Sequence, residues 1–286
     1  MVASAEPTPG TDPTPGTDTT PGPDTTPGTD PTPTPGPAPA PAPAPNPDTV
    51  IAFFDIDNTL VRGATVYLVG LGAWRLKLLR FRDVASFVWQ QARFISVGEN
   101  MKHTATARNR ALQLIAGHTE QELRELGEEV YRRQITARLW PEVVEAAEDH
   151  LRRGHEVWLL SATAEIVAET IAGQLGFTGA RATRFETRDG VFTGRLDGPM
   201  VHAEVKARVA GGIARERGAR LDDCWAYSDS GNDLPLLGAV GHPVAVNPDA
   251  ALRVEADRRR WPVMALRRDR TAARAAGRAA RKKRQA

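Results

Sequence analysis

Four short, almost continuously apolar runs alternate with helical stretches between residues 49 and 258. Strands that are covered on both faces of a parallel sheet have this composition, and the helical stretches suit the crossovers between them. The pattern predicts an α/β fold with a doubly wound, Rossmann-like parallel sheet. The predicted strands cover residues 49–55, 155–161, 223–229 and 242–246, and the main predicted helices of the core cover residues 165–176, 203–218 and 249–260.

Two segments depart from this alternation. Residues 184–196 contain the pair Asp189-Gly190, which suits the positive φ angles of a tight turn, so a small β-hairpin flap is predicted there. Residues 64–145 contain helical patterns without a convincing strand, and they predict a helical cap inserted between the first two strands. Arg and Lys interrupt the apolar runs of this cap short of the roughly 20 residues that a membrane span requires. The predicted core therefore comprises residues 49–63 and 146–258.

The two ends of the chain differ in composition from its middle. Residues 1–48 hold sixteen of the 22 prolines and predict a disordered Pro/Thr/Gly-rich arm, because they bury too little apolar surface to offset the entropy of ordering. This arm is either a solvated tail or a Pro-motif ligand for a partner domain. Residues 259–286 form a basic C-terminal tail, which is either a solvated helical end or a weak contact for an anionic surface.

Charge and cysteine content narrow the classes of function. The formal net charge of the 286-residue chain is only +2, so we expect no specific nucleic-acid partner. The lone Cys224 excludes an internal disulfide and a thiolate metal cluster. Its apolar surroundings in the sequence predict a buried residue in a cytoplasmic protein. The oligomeric state stays open.

Acidic residues follow two of the predicted strands directly. Asp55 and Asp57 come at the end of the first strand in FFDIDNTL, and Asp229 and Asp233 come at the end of the third in YSDSGNDLPLL. Open α/β sheets bind ligands beyond the carboxyl ends of their strands, so four carboxylates are expected at one edge. A hard cation relieves the repulsion between them, and Mg²⁺ commonly binds a few carboxylates together with a phosphate oxygen.

Other groups at the same edge suit a phosphate. Ser161 and Ala162 lead from the second strand toward a helix, where they offer a hydroxyl and backbone N–H groups to an anion. Lys206 opens the helix before the third strand and supplies a positive charge. Structural roles, such as helix capping, a turn or a solvated charge, are open alternatives for Ser161, Lys206, Asp57 and Asp233.

In chain order, DIDNT, LLSAT, Lys206 and DSGNDLPLL resemble the four motifs of the haloacid dehalogenase (HAD) superfamily. The pattern is similar to that of its subfamily IB, the phosphoserine-phosphatase-like branch, which carries a helical cap between the first two motifs. The resemblance covers residues 50–258, so the predicted core is HAD-like.

The resemblance implies a Mg²⁺-dependent phosphatase that hydrolyses a small-molecule phosphomonoester through an aspartyl-phosphate. Asp55 is then the nucleophile, and Asp57 is the general acid and base. The implied metal ligands are Asp55, Asp57, Asp229 and Asp233, and the implied phosphate-binding groups are Ser161, the backbone N–H of Ala162, Lys206 and Asn232.

The substrate is less well defined by the sequence. Phosphoserine phosphatases carry an acidic residue for the substrate amine where this chain has Ala64, so the resemblance does not extend to phosphoserine itself. Arg62, Arg75 and Arg108 suit an acidic or bulkier phosphoester instead. Two alternatives remain: a phosphotransferase that uses the same intermediate, and a membrane- or partner-docked scaffold.

Overall fold

The computed structural model describes residues 48–75, 112–113 and 115–266. Residues 1–47 of the predicted arm, residues 76–111 and 114 of the predicted cap, and residues 267–286 of the predicted basic tail lie outside the described residues. Arg108, suggested above as a substrate contact, is among them.

The described chain contains a six-stranded sheet, a two-stranded hairpin and helices that surround the larger sheet. The elements of the first half are β1 (Ile51–Asp55), α1 (Thr65–Arg75), α2 (Glu120–Val130), a π-helical turn (Tyr131–Ile135), a 3₁₀ turn (Thr136–Arg138), α3 (Pro141–Arg152), β2 (Glu156–Ala164) and α4 (Glu165–Leu175). The elements of the second half are β3 (Gly179–Thr183), β4 (Phe185–Arg188), β5 (Val191–Leu196), α5 (Glu204–Arg217), β6 (Trp225–Ser228), α6 (Leu234–Leu237), β7 (His242–Val246), α7 (Ala250–Arg259) and β8 (Val263–Met264), with 3₁₀ turns at Leu221–Asp223 and Gly231–Asp233.

The larger sheet has the strand order β3-β2-β1-β6-β7-β8, and all of its neighbouring pairs are parallel. The chain runs outward from β1 through β2 and β3, and it then returns to the other side of β1 with β6. Such a reversal of direction leaves a crevice beyond the carboxyl ends of the strands, where α/β sheets bind ligands. The doubly wound parallel sheet predicted from the sequence is confirmed, with β1 at its centre.

Helices cover both faces of this sheet, and β1 is buried throughout. Ala52 and Phe54 pack into a hydrophobic cluster with α3 and α4, whereas Ile51 and Phe53 pack into a second cluster with α5, α6 and α7. This is the alternation that a strand's two-residue period produces. Each large apolar side chain that is fully buried contributes about 1.5–3 kcal/mol, so the strand that leads to the candidate site is firmly held.

Helices α1 and α2 belong to the segment inserted between β1 and β2. Thr119 and Glu122 start α2 with a reciprocal capping box, in which each side chain accepts the other residue's backbone N–H. The buried Leu123, Leu126 and Val130 of α2 lie in the same hydrophobic cluster as residues of α4. The described part of the insertion therefore packs directly against the core.

The insertion begins and ends at neighbouring points. The backbone N–H of Arg62 donates to the carbonyl oxygen of Arg138 at 2.8 Å, and that of Trp140 donates to Leu60 at 3.0 Å. Helix α3 then runs without interruption through residue 145, where the sequence analysis divided cap from core.

The predicted hairpin is present as the antiparallel pair β4 and β5. Asp189 and Gly190 form its turn with φ angles of 52° and 74°, as a tight two-residue hairpin turn requires. The hairpin is also tied to the insertion, because Glu120 donates its N–H to the carbonyl of Gly190 at 2.9 Å and Phe192 donates to His118 at 2.8 Å.

Strands β3 and β8 were not predicted, and β2 continues three residues beyond its expected end. Within the described ranges, no helix combines the length and the hydrophobicity needed to cross a bilayer.

Candidate active site

The turn that follows β1 fixes the first pair of carboxylates. Asp55 is the last residue of β1. Asn58 adopts a left-handed φ of 60°, which asparagine tolerates, and its Oδ1 accepts the N–H of Gly63 at 3.1 Å. The Asp57 carboxylate accepts the N–H of Thr65, the first residue of α1, at 2.7 Å. A helix N-terminus stabilises a negative charge, so the turn holds Asp57 in a fixed position.

Lys206 on α5 brings two distant carboxylates together. Its Nζ lies 2.5 Å from Asp55 Oδ1 and 2.7 Å from Asp233 Oδ2. All three side chains are buried, with exposed fractions of 5% for Asp55, 3% for Lys206 and 2% for Asp233. Residues from β1, α5 and the segment after β6 thus meet beyond the end of the central strand.

Two buried hydroxyls that the sequence analysis did not single out complete this arrangement. Thr59 donates to Asp229 Oδ1 at 3.3 Å, and Ser228 donates to Asp233 Oδ2 at 2.6 Å. A signal for Ser228 was present in the sequence. It directly precedes Asp229 at the end of a predicted strand. In the structure, the strand register pairs its neighbour Tyr227 with Phe54, one residue before Asp55.

The predicted phosphate-binding residues lie at the end of β2 and after β6. Ser161 is 1% exposed, and its Oγ accepts the N–H of Thr163 at 3.1 Å. The carbonyl of Ala162 accepts the hydroxyl of Thr183 on β3 at 2.9 Å, which helps to extend β2 beyond residue 161. Asn232 is exposed, and its backbone N–H donates to the Oγ of Ser230.

Burial dominates the electrostatics of the acidic groups. It raises the pKa of Asp55 to about 7, and the nearby Lys206 ammonium opposes this rise. Burial likewise raises the pKa of Asp229 to about 6, against the opposing hydrogen bond from Thr59, and it raises the pKa of Asp57. Burial alone lowers the pKa of Lys206, but the charges of Asp55 and Asp233 outweigh that effect and raise it overall. Lys206 therefore stays positively charged at neutral pH.

The chemistry of this donor set suits a hard divalent cation. Lys206 contacts two carboxylates, Asp55 and Asp233, and the carboxylates of Asp57 and Asp229 belong to the same sheet edge, so the acidic groups outnumber the single ammonium. Oxygen donors of this kind are those that Mg²⁺ prefers. In the part of the chain that the structure describes, no three Asp, Glu, His or Cys side chains are close enough to form a preassembled metal site. Lys206 instead links Asp55 and Asp233 directly.

The Arg62 side chain contacts two backbone carbonyls and an aromatic ring. Its guanidinium donates to the carbonyl of Ala137 and, at 3.2 Å, to that of Arg138, and it lies 5.4 Å from the ring centroid of Trp140. These contacts join the two ends of the insertion, and a substrate contact at Arg62 stays a prediction. Arg75 is exposed at the end of α1.

The fold and this site define a class of protein. Residues 52–238 match the family model for the haloacid dehalogenase-like hydrolases. The matched range starts within β1, ends after α6, and contains all the candidate site residues named above. The chain belongs to the haloacid dehalogenase-like hydrolase family.

Individual relatives narrow this assignment. The chain is 44% identical over 227 residues to the phosphoserine phosphatase SerB1 of Mycobacterium tuberculosis, a match that covers 79% of this chain and 74% of that protein. It is 32% identical over 221 residues to a histidinol-phosphatase of Neisseria meningitidis, with coverage of 75% and 97%. A crystal structure of a protein of unknown function from Bordetella pertussis matches with a TM-score of 0.66 and 31% identity, and it covers 76% of this chain and 99% of that one. The chain is accordingly a hydrolase of the phosphatase class.

Proposed function

We propose that this phosphatase hydrolyses a small-molecule phosphomonoester in a Mg²⁺-dependent reaction that passes through an aspartyl-phosphate on Asp55. The observation that carries the proposal is the position of Asp55. It is a buried carboxylate at the carboxyl end of the central strand, with the Lys206 ammonium 2.5 Å away. A nucleophile and a group that binds an anion are thus in direct contact.

In the first step, a carboxylate oxygen of Asp55 forms a bond to phosphorus while the bond to the leaving alkoxide breaks. Asp57 gives its proton to the oxygen of the leaving group. The burial that raises the pKa of Asp57 favours the protonated form that this role needs. In the second step, Asp57 takes a proton from water, the water oxygen attacks phosphorus, and the acyl-phosphate bond breaks. Inorganic phosphate leaves, and Asp55 is regenerated.

The remaining groups bind the phosphoryl oxygens. Lys206, whose charge the neighbouring carboxylates stabilise, contributes an ammonium. The Ser161 hydroxyl and the backbone N–H of Ala162 contribute hydrogen bonds, and the exposed Asn232 is proposed as a further contact for the phosphate. Preorganised donors of this kind stabilise the charge that develops in the transition state.

Mg²⁺ is proposed to bind at this site, with Asp55 and Asp229 as ligands and with Asp57 and Asp233 in support. When bound, it supplies the positive charge that allows an anionic ester to approach a carboxylate nucleophile. All these residues belong to the core at residues 49–63 and 146–258, and the insertion at residues 64–145 is proposed to shape access to it. The lone, buried Cys224 is consistent with a cytoplasmic location.

The substrate is proposed to be a phosphomonoester other than phosphoserine. Ala64, just before α1, offers no charge to an amino group. The relatives named above include both a phosphoserine phosphatase and a histidinol-phosphatase, so the family supports more than one leaving group.

Phosphate release from a panel of phosphorylated metabolites, which includes phosphoserine and histidinol phosphate, tests the proposal. We expect activity with Mg²⁺, loss of activity with a chelator, and a decrease in kcat of at least about 10³-fold in Asp55→Asn. Asp257→Asn, the same substitution at an exposed position of α7, is the matched control and should keep wild-type activity. Equal rates in the Asp55 variant and the wild type would contradict the assignment of the nucleophile.

The same assay separates hydrolysis from phosphotransfer. With an added alcohol, a hydrolase releases one inorganic phosphate for each leaving group, whereas a phosphotransferase yields a new ester instead. Preferential capture by the alcohol would replace the hydrolytic proposal with the phosphotransferase alternative.

A further inference from the structure

Ser228 has a fully buried hydroxyl that is directed at Asp233. It is the last residue of β6, its exposed fraction is 0%, and its Oγ lies 2.6 Å from Asp233 Oδ2. The backbone N–H of Ser230 donates to the same Oγ at 3.2 Å. Because that N–H occupies one lone pair of the hydroxyl oxygen, the O–H is oriented toward the carboxylate.

The same carboxylate oxygen also receives Lys206. Asp233 Oδ2 thus accepts two donors, the Ser228 hydroxyl and the Lys206 ammonium, at 2.6 and 2.7 Å. Lys206 makes its other contact with Asp55 Oδ1 at 2.5 Å. A continuous series of hydrogen bonds therefore runs from the backbone of Ser230 to the proposed nucleophile.

We propose that Ser228 is a positioning residue, which fixes Asp233 and thereby holds the Lys206 ammonium against Asp55. This inference rests on the proposed function of that site. Without the hydroxyl, the Asp233 carboxylate can rotate, and Lys206 follows it because the two groups are paired in a buried environment. The ammonium then meets the transferring phosphoryl group in a poorer geometry, while the substrate can still bind.

Kinetics of Ser228 variants test the role. We expect Ser228→Ala to lower kcat by about tenfold or more, because the lost hydrogen bond involves a charged group. KM should change by no more than about twofold, since the interaction matters most in the transition state. Ser228→Thr and Ser228→Val have nearly the same shape and differ in the hydroxyl, so the threonine variant should be the more active of the two.

A second readout does not depend on turnover. In protein carrying ¹⁵N-labelled lysine, the buried Lys206 ammonium is expected to give a protected ¹⁵N–¹H signal, which Ser228→Ala should shift or broaden. Thr178→Ala is the control. It removes a hydroxyl that accepts the N–H of Val157, far along β2 from the site, and should leave the Lys206 signal unchanged.

The outcomes of the two experiments are distinguishable. A wild-type protein that releases no phosphate from any ester refutes the proposed function, and the lysine signal then decides the positioning role alone. An active wild type whose Ser228→Ala variant keeps kcat within about twofold, with an unchanged lysine signal, overturns the inference. If Ser228→Ala does not fold, equal kcat values in the threonine and valine variants overturn it instead.

Discussion

Phe54 and Asp55 are adjacent on β1, but their side chains face opposite layers and meet different polar groups. Asp55 meets Lys206, whereas Phe54 stacks on Tyr227 with a distance of 4.2 Å between ring centroids. The Tyr227 hydroxyl lies 2.9 Å from Nε2 of His150, and Nδ1 of His150 lies 2.8 Å from Nδ1 of His155. A buried polar network therefore lies behind the strand that carries the candidate nucleophile.

Within this network, His150 contributes a loss of stability in acid, opposite in sign to the contributions of Asp55 and Asp229, whose pKa values are raised. Burial, helped by the nearby His155 and Arg153, lowers the pKa of His150 from 6.5 to about 4. The unfolded chain then binds a proton more readily than the folded chain does. The contribution of His150 to the free energy of unfolding is fully present above pH 6.5, declines as the pH falls from 6.5 to 4, and amounts to about 3 kcal/mol. Urea unfolding at a series of pH values measures it.

Two variants isolate the contribution of His150. The free energy of unfolding of the wild type minus that of His150→Gln should fall as the pH falls from 6.5 to 4, because the other titrating groups are common to both proteins. Tyr227→Phe should lower stability at every pH by about 1–3 kcal/mol, because it leaves a buried ring nitrogen without its partner, yet it should keep the slope. A His150→Gln variant with the wild-type slope would exclude His150 as the titrating group.

Single residues also show where sequence reasoning about the site stops. The sequence placed Asp55, Lys206 and Asp233 at one sheet edge because each follows or precedes a predicted strand, and the structure brings these three together. Their catalytic roles stay predictions. The contributions of Thr59 and Ser228 were missed because a hydroxyl's role depends on which carboxylate it contacts. Thr59 contacts Asp229 only because β1 and β6 are paired, and Ser228 contacts Asp233 only through the turn that follows β6.

At the scale of elements, β3 illustrates a strand that its own sequence does not specify. Its sequence, GARAT, has one glycine, one arginine and little hydrophobic character. Pairing with β2 supplies its hydrogen bonds, and a Cβ at Gly179 would lie 2.9 Å from the ring of Trp158, so the strand needs glycine at that point. These interactions join distant parts of the chain. By contrast, the Asp189-Gly190 turn is a local signal, and its hairpin was predicted correctly.

The connection from α6 to β7 predicts a sensitive position. An added Cβ at Gly241 would lie 1.7 Å from the carbonyl oxygen of Asp222, a backbone atom that cannot move independently. We expect Gly241→Ala to destabilise the protein by about 2 kcal/mol or more, because the two segments must separate. Chemical denaturation followed by circular dichroism measures the change.

Gly212 on α5 is the matched control, because no atom lies within 4 Å of the corresponding Cβ position. Gly212→Ala should stabilise the helix by about 0.5–1 kcal/mol. If both alanine variants had the same stability, the close approach at Gly241 would not limit this connection.

At the scale of the whole molecule, the fold class could be predicted because strand-like apolar runs and helices alternate along the chain. Elements in this order can be packed into only a few layered architectures. The extent of contact between insertion and core could not be predicted in this way. Gly127 on α2 lies so close to α4 that a Cβ would be 3.1 Å from Thr170 Oγ1, and no local pattern signals that contact.

The proposed metal site makes a prediction for the entire fold. Mg²⁺ should bind the folded chain and not the unfolded one, so it should raise the free energy of unfolding by about 2.7 kcal/mol at a concentration of 100 times its Kd. Thermal unfolding with Mg²⁺ and with a chelator measures this effect. Asp229→Asn should reduce it, and an identical Tm in both conditions for the wild type would argue against a resident cation.

The paired entry and exit of the insertion have a further consequence. Arg62 and Arg138 are hydrogen-bonded neighbours, so the chain leaves the core and returns to it at the same place. The residues between them therefore do not set the distance from β1 to α3. The length and content of the insertion can change without pulling the two flanking segments apart. The insertion can thus acquire a new surface at this junction while the spacing of Asp55, Lys206 and Asp233 stays as it is.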